Sequence, residues 1–200
     1  MSDSRASDSH NRRLAKERVL LMNNQINYIV TDLPDDLMDP IEIVISGPGD
    51  SPFAGGSFGL KLSLPDDYPF KPPRAHFTTS MWHPNISTLG SICVDILEPM
   101  YWSCGTTLLM VVEALRALLT MPNPHSPLNV DAASMMLSDP DMYEITVRSW
   151  THVHGYGPDT IPQEYKDKIA SVQEIRRCTR ESALRKLSKS MWVVEASRHL

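Results

Sequence analysis

Residues 83–105 read HPNISTLGSICVDILEPMYWSCG, and at this stretch the chain changes from strand patterns to helix patterns. The stretch itself has no clear periodicity. An irregular segment of this length between regular elements is often functional. It contains two of the three cysteines, Cys93 and Cys104. The chemistry of these two thiols is therefore the first question that the sequence raises.

The segments before this loop alternate apolar and polar residues, which predicts strands. Glycine and proline separate IEIVISGPG (41–49), GGSFGLKLSLP (55–65) and RAHFTT (74–79). Short strands joined by turns favour an antiparallel meander, for which we expect four strands. A first helix is predicted before the sheet, because NRRLAKERVLLMNNQI (11–26) places apolar residues at helical spacing.

Three helices are predicted after the loop. The segments are TTLLMVVEALRALLTM (106–121), DAASMML (131–137) and DPDMYEITVRSWTHVHG (139–155). The first keeps leucine and valine on one face, and the third opens with an Asp-Pro pair suited to an N-cap and first helical turn. The predicted class is therefore α+β: an N-terminal helix, a four-stranded meander, a long active-site loop and three helices.

The ends of the chain differ from the middle in composition. Residues 1–10 are rich in serine and predicted to be disordered, and residues 11–158 form the predicted core domain. Residues 161–200 contain nine basic and five acidic residues, whereas residues 1–160 contain ten and nineteen. We therefore interpret residues 159–200 as a basic amphipathic extension with one helix. A three-helix module is not expected there, because no glycine or proline follows Pro162 to make turns.

Composition indicates an intracellular protein. No apolar run approaches the ~20 residues of a membrane span, and the polar start contains no signal-peptide core. Three cysteines in a reducing compartment argue against a disulfide framework. The absence of C-x-x-C and H-x-x-x-H spacings argues against a metal site. We expect a cytoplasmic or nuclear location, with no bound metal and no nucleic-acid partner.

Thiol chemistry is thus the open possibility, and each candidate residue has a plainer alternative. Cys93 is a candidate nucleophile, or a small buried apolar residue. The Asn85 amide can donate to an oxyanion, or can brace the loop through backbone groups. His83 together with Cys93 also suggests a hydrolase dyad, but a hydrolytic triad needs a third group to orient the histidine, and no recognisable protease context surrounds this cysteine.

A series of motifs runs from Arg12 to about Gly155. They are RRLAKE (12–17), ISGPGDSPFAGGSFGLKLSLPDDYPFKPPRAHFTT (45–79), HPN (83–85), GSICVDIL (90–97), Trp102, LLMVVEALRALL (108–119), PNPHSPLNVDAA (122–133) and RSWT (148–151). In these motifs and their order the chain resembles the ubiquitin-conjugating enzyme family, of the catalytic-cysteine type with a C-terminal extension. The spacing from Asn85 to Cys93 is the most specific of these features.

The resemblance implies a mechanism. Cys93 would take ubiquitin or a ubiquitin-like modifier from the thioester of an activating enzyme and transfer it to a lysine of a substrate protein. A RING-type ligase would assist direct transfer, and a HECT-type ligase would accept the modifier on its own cysteine. The activating enzyme uses ATP, so no cofactor is expected. Asn85 would support the oxyanion or the loop, with His83 and Pro84 shaping that loop.

Two further residues belong to the implied catalytic set. Asp95 would help to orient the incoming amine, or is a solvated loop carboxylate. Ser126 in PNPHSPL stands where many family members have an acidic residue, and it becomes anionic only if phosphorylated. We therefore expect Ser126 to make lysine transfer tunable.

The family resemblance also implies a surface for the activating enzyme and ligase. It would include Phe70 and the basic side of the first helix, with Arg12, Arg13 and Lys16, unless Phe70 is core and the basic face merely solvated. The loop part of this surface is Ser103, Cys104 and Gly105. Family members usually have proline and alanine at the last two positions, so ligase selection is expected to differ. The alternatives kept open are a binding-only relative, a thiol hydrolase and a redox protein using Cys93 and Cys104.

Overall fold

The computed structural model describes residues 2–37 and 39–198, with side chains from residues 10 to 197. The helices and strands follow one another in this order: α1 Ser2–Asn23, β1 Tyr28–Asp32, β2 Ile41–Ser46, β3 Ser57–Ser63, β4 Arg74–Phe77, a 3-10 turn Asp95–Leu97, α2 Leu108–Leu118, α3 Val130–Ser138, α4 Pro140–His154, α5 Gln163–Arg176, α6 Arg180–Lys189 and a 3-10 turn Ala196–Arg198. The predicted α+β class is confirmed.

The sheet is an antiparallel meander in the order β1-β2-β3-β4, as predicted. Alternation along the strands buries one face, to which β2 contributes three isoleucines. These residues and their partners on β3 form the sheet side of the core: Ile41, Ile43, Ile45, Phe58, Leu60 and Leu62. The sequence pattern did not locate β1, which has a bulge between Val30 and Asp32 and alternates over only a few residues.

Helix α1 begins earlier than predicted. It extends from Ser2, so it includes residues assigned to the disordered tail at 1–10; Met1 lies outside the described residues. Once a helix has formed, each added residue contributes a hydrogen bond, so serine and aspartate do not stop it. The His10 Nδ1 atom lies 2.9 Å from the Tyr68 carbonyl oxygen, a contact that links this end of α1 to the body of the protein.

The three central helices begin at polar caps. Asn129 and Asp139 accept hydrogen bonds from the backbone of α3 and α4, and Thr107 does so for α2. The predicted Asp139-Pro140 start of α4 is confirmed. Helix α2 packs its buried side against the sheet. No helix among the described residues has the length and apolar content needed to cross a membrane.

The extension differs from its prediction, because it contains α5, α6 and a 3-10 turn instead of one helix. The chain turns without glycine or proline. Arg177 takes the left-handed conformation (φ 48°) after α5, and Met191 and Trp192 have φ of 51° and 59° after α6. A left-handed non-glycine residue costs about 1–2 kcal/mol, which burial of the Trp192 ring offsets. The premise that turns in this segment need glycine or proline is therefore wrong.

The extension packs on α4. The Trp150 indole N–H donates to the Ser188 hydroxyl at 2.8 Å, and the Trp192 indole N–H donates to the Thr146 hydroxyl at 2.7 Å. On the other side of Trp150 lies Trp82, with ring centroids 5.5 Å apart. Leucines of α6 join the same buried cluster as the sheet. The extension therefore shares a continuous core with the rest of the protein.

Candidate functional site

The His-Pro-Asn turn is fixed by a completely buried imidazole. The His83 Nε2 lies 3.0 Å from the Leu118 carbonyl oxygen, and Nδ1 accepts the Asn85 backbone N–H at 3.0 Å. These partners assign the neutral tautomer with the proton on Nε2. Burial lowers the pKa of His83 to about 4, against the opposing effect of the bond to Leu118. Both ring nitrogens are occupied, so the imidazole offers no free base to a thiol.

The Asn85 side chain binds the backbone of the loop at 123–126. Its amide nitrogen donates to the carbonyl oxygens of Asn123 at 2.8 Å and Ser126 at 3.1 Å. Its oxygen accepts the Asn123 backbone N–H at 2.7 Å. Both amide hydrogens and the amide oxygen thus have partners, and the side chain is almost fully buried. Asn85 joins the turn at 83–85 to the loop at 123–126.

Cys93 lies next to this junction. Its backbone N–H donates to the Asn85 carbonyl oxygen at 3.0 Å, and Ile92 pairs with Ile86 across the same short bridge. Cys93 is half-buried and forms no disulfide. Cys104 is exposed on a different loop, and Cys178 lies in the extension. Among the three cysteines, Cys93 is therefore the one whose backbone is bonded to the His-Pro-Asn turn.

Ser126 lies exposed on the loop that Asn85 holds. The Pro84 carbonyl oxygen accepts the backbone N–H groups of Leu128 at 2.8 Å and Asn129 at 2.9 Å, which fixes the far side of this loop. Asp95 begins the 3-10 turn after Cys93 and is also exposed. The structure thus gathers Cys93, Asn85 and the Ser126 loop, and leaves the Asp95 carboxylate in solvent beside them.

Sequence reasoning missed Asn123. Its backbone N–H and carbonyl both bind the Asn85 amide, and its side-chain oxygen accepts the His125 backbone N–H at 3.1 Å. Such a bond to the residue two positions later is typical of an asparagine turn. The signal was present in the sequence as Asn123 between two prolines in PNPHSPL.

A second exposed surface lies around Trp102. The Trp102 indole N–H donates to the Pro69 carbonyl oxygen at 2.7 Å and so brings the loop of Phe70 beside the loop that follows Trp102. The Phe70 side chain is 77% exposed and is therefore not core. We name this the docking surface; its residues are Phe70, Ser103, Cys104 and Gly105, all of which are exposed.

The basic residues predicted on α1 do not share one environment. Arg12 and Lys16 are exposed. The Arg13 side chain is only 18% exposed and its guanidinium forms hydrogen bonds inside the protein. Arg13 is thus part of the protein's internal hydrogen-bond network, whereas Arg12 and Lys16 are exposed to solvent. Between residues 2 and 198, leaving out residue 38, no three His, Cys, Asp or Glu residues cluster closely enough to hold a metal ion.

Comparison with known proteins extends this picture. The family model described as ubiquitin-conjugating enzyme matches residues 13–151. The chain is 37% identical over 175 residues to ubiquitin-conjugating enzyme E2 K of Homo sapiens, and equally to the Bos taurus and Mus musculus proteins, covering 87% of this chain and 86% of each relative. The solved E2 domain of a Toxoplasma gondii ubiquitin conjugating enzyme is 34% identical, with a TM-score of 0.65 over 72% of this chain and 99% of that domain.

Proposed function

Because the chain belongs to the ubiquitin-conjugating enzyme family, and is therefore an enzyme of ubiquitin conjugation, we propose that Cys93 accepts ubiquitin or a ubiquitin-like modifier as a thioester. The observation that supports this assignment is the Cys93 backbone bond to Asn85, whose side chain holds the Ser126 loop. Cys93 is the thiol placed in this braced setting, whereas Cys104 and Cys178 lie elsewhere.

The proposed reaction has two acyl transfers. The Cys93 thiolate attacks the carbonyl carbon of the activating enzyme's thioester, a new S–C bond forms, and the activating enzyme's cysteine leaves as a thiolate. A neutral lysine amine of the substrate then attacks the same carbon, the C–S bond breaks, and Cys93 leaves as a thiolate. The proton that the amine loses as the amide forms goes to this thiolate or to water. A thioester is a reactive acyl donor, so positioning supplies much of the second step. This chemistry is compatible with a site in which His83 offers no free base.

Asn85 acts in this proposal mainly as a brace. Both of its amide hydrogens go to backbone carbonyl oxygens, so an oxyanion would have to replace one of these bonds. The bonds keep the Ser126 loop at a fixed position relative to Cys93. A fixed loop defines the path by which a lysine amine approaches the thioester.

Asp95 and Ser126 are the exposed groups next to that path. We propose that the Asp95 carboxylate helps to orient the amine. The Ser126 hydroxyl is neutral, and phosphorylation would place about −1.5 to −2 charges at this position. The rate of ubiquitin discharge to lysine should therefore differ between the Ser126→Ala and Ser126→Asp variants. Equal discharge rates for wild type and both variants would refute the proposed tuning.

The partners in this proposal are the activating enzyme, a RING- or HECT-type ligase, and substrate proteins in the cytoplasm or nucleus. The docking surface, together with Arg12 and Lys16 on α1, is the proposed contact for the activating enzyme and ligase. An exposed aromatic beside a polar loop is a suitable anchor for such an interface.

The test uses the full chain with ubiquitin activating enzyme, ATP and ubiquitin, followed by a non-reducing gel. Wild type, Cys104→Ala and Cys178→Ala should each gain a reductant-sensitive adduct one ubiquitin larger, and Cys93→Ala should not. An adduct that persists in Cys93→Ala and disappears in Cys104→Ala would refute the assignment. Absence of any adduct in wild type would refute the transfer of ubiquitin to Cys93.

A further inference from the structure

Arg13 connects α1 to the loop of the docking surface. Its Nη1 donates to the Cys104 carbonyl oxygen at 2.6 Å, and its Nη2 donates to the Thr106 carbonyl oxygen. These two carbonyls flank Gly105. A planar guanidinium with donors in a fixed fork can hold two acceptors at once, which a lysine ammonium does less well. Arg13 therefore binds the backbone of this loop on both sides of Gly105.

The guanidinium is itself held in place from behind. The Arg13 Nε donates to the Glu17 carboxylate at 2.6 Å, and the ring of Tyr68 lies under the guanidinium, with its centroid 5.4 Å from the central carbon. The Tyr68 hydroxyl accepts from Arg13 Nη2 at 3.2 Å and donates to Glu17 at 2.7 Å. These contacts leave the Arg13 side chain little freedom to move.

Glu17 is the centre of this arrangement. Its side chain is completely buried, a position that costs several kcal/mol for an unpaired carboxylate. Besides Arg13 and Tyr68, its second oxygen accepts the Leu108 backbone N–H at 2.8 Å, at the start of α2. One carboxylate thus joins α1, the loop before Phe70 and α2, the helix that follows residues 103–106, which we name the docking loop.

The docking loop has little else to fix it. No proline occurs between Pro99 and Pro122, and a Cβ placed on Gly105 would meet only the Ser103 hydroxyl, at 3.6 Å. Glycine has the widest backbone freedom of all residues. Within the loop the backbone bonds are short-range, such as Thr106 N–H to the Ser103 carbonyl at 2.9 Å.

We propose that Arg13, oriented by Glu17 and Tyr68, is a positioning residue that fixes residues 103–106 in the shape a ligase recognises. This inference rests on the proposed function, because it assumes that the docking surface binds a ligase. It replaces the sequence-based expectation that Arg13 contacts the partner directly. Arg12 and Lys16, which are exposed on the same helix, keep that expected role.

The test compares Arg13→Lys with Arg148→Lys. Arg148 also pairs with a glutamate four residues away, Glu144, but on the exposed side of α4. Hydrogen–deuterium exchange of the peptide covering residues 101–109 should be about tenfold faster in Arg13→Lys than in wild type, and unchanged in Arg148→Lys. Tyr68→Phe should give a smaller increase, because it removes one hydroxyl and keeps the ring. A thermal melt confirms that each variant is folded.

The functional arm uses an isolated RING domain selected because it stimulates discharge of ubiquitin from the loaded wild-type chain to free lysine. Excess activating enzyme drives loading to completion in every variant. In Arg13→Lys the RING concentration that gives half-maximal stimulation should rise about tenfold, with the maximal rate and the RING-independent rate within about twofold of wild type. Arg148→Lys should match wild type.

The outcomes separate the two hypotheses. A wild-type chain that forms no ubiquitin adduct refutes the proposed transfer of ubiquitin, and the exchange arm then still tests whether Arg13 fixes the loop. A loaded Arg13→Lys variant with wild-type exchange and wild-type RING response refutes the positioning role. Weaker RING stimulation with unchanged exchange also refutes it, because Arg13 would then contact the ligase directly. Faster exchange with unchanged RING stimulation refutes the link to docking.

Discussion

The loops that contain Cys93 and Cys104 are held by different means. The turn beside Cys93 has a buried imidazole and a buried amide whose polar groups all bind backbone groups of neighbouring segments. The loop of Cys104 is exposed and is held from outside by the guanidinium of Arg13. We infer that several hydrogen bonds from two side chains hold the turn beside the reactive thiol. The docking loop depends on one side chain, so a single substitution at Arg13 releases it.

The largest expected effect concerns His83 and pH. The pKa of the buried imidazole is about 4, and the unfolded chain binds a proton near pH 6.5. The contribution of His83 to the free energy of unfolding is therefore fully present above pH 6.5, and roughly 3 kcal/mol of it is lost as the pH falls towards 4. Urea unfolding across this range should show that loss. The partly buried His154, whose pKa is also lowered by desolvation, adds to the loss in the same direction.

His83→Gln isolates the contribution of His83, because glutamine does not titrate and His154 is unchanged in the variant. The variant should be less stable than wild type at pH 7, and its unfolding free energy should fall less steeply between pH 6.5 and 4. Parallel pH profiles for variant and wild type would show that the buried imidazole does not produce the pH dependence.

The next effect concerns the brace at Asn85. Asn85→Ala removes three hydrogen bonds to the loop at 123–126 and should slow lysine discharge about tenfold to a hundredfold. Exchange of backbone amides in residues 122–128 should accelerate in parallel. If discharge slows while that exchange stays at the wild-type level, Asn85 acts as an oxyanion donor and the bracing role is wrong.

A smaller effect concerns the extension, which reaches the His-Pro-Asn turn through tryptophans. Ser188→Ala removes the acceptor of the Trp150 indole N–H, and Trp150 packs on Trp82, the residue before His83. We expect a loss of about 1 kcal/mol in the free energy of unfolding, measured in urea. Ser171→Ala on the exposed side of α5 is the matched control, because its hydroxyl bonds only its own helix. Equal stability of the two variants would mean that the extension does not depend on this contact.

The smallest effect is expected at Cys104. Its side chain is exposed and forms no described bond, whereas its carbonyl oxygen binds Arg13. Cys104→Ala should therefore change the free energy of unfolding by less than about 0.5 kcal/mol and, at saturating activating enzyme, leave ubiquitin loading at the wild-type rate. A slower loading rate at saturating activating enzyme would make the docking loop part of the reactive site and remove the distinction between the two loops.

The sequence predicted elements that have strong local signals. The leucine-rich face of α2, the Asp139-Pro140 start of α4 and the alternation of β2 each identify their element from neighbouring residues. The left-handed conformation of Trp192 could not be predicted in this way. The Trp192 indole is buried and donates to the Thr146 hydroxyl of α4, a contact between segments far apart in sequence.

The same limit applies to the site. Cys93 and Asn85 were identified by their motif, and the structure places them side by side. The different environments of Arg13 and Arg12 could not be read from their common position in an amphipathic helix. They depend on Glu17 and on carbonyl groups of a loop about ninety residues later. Sequence patterns show which residues share a helix face, and long-range partners decide their roles.

The identity of the acyl-bearing atom can be measured directly through bond chemistry. Cys93→Ser should form an adduct with ubiquitin that resists thiol reductants and is cleaved by alkali, because an oxygen ester replaces the thioester. Intact mass spectrometry of wild type, Cys93→Ser and Cys104→Ser, before and after reductant, reports this for each residue. We expect a reductant-resistant adduct in Cys93→Ser alone. A reductant-resistant adduct in Cys104→Ser, with a reductant-sensitive one in Cys93→Ser, would contradict the assignment of Cys93.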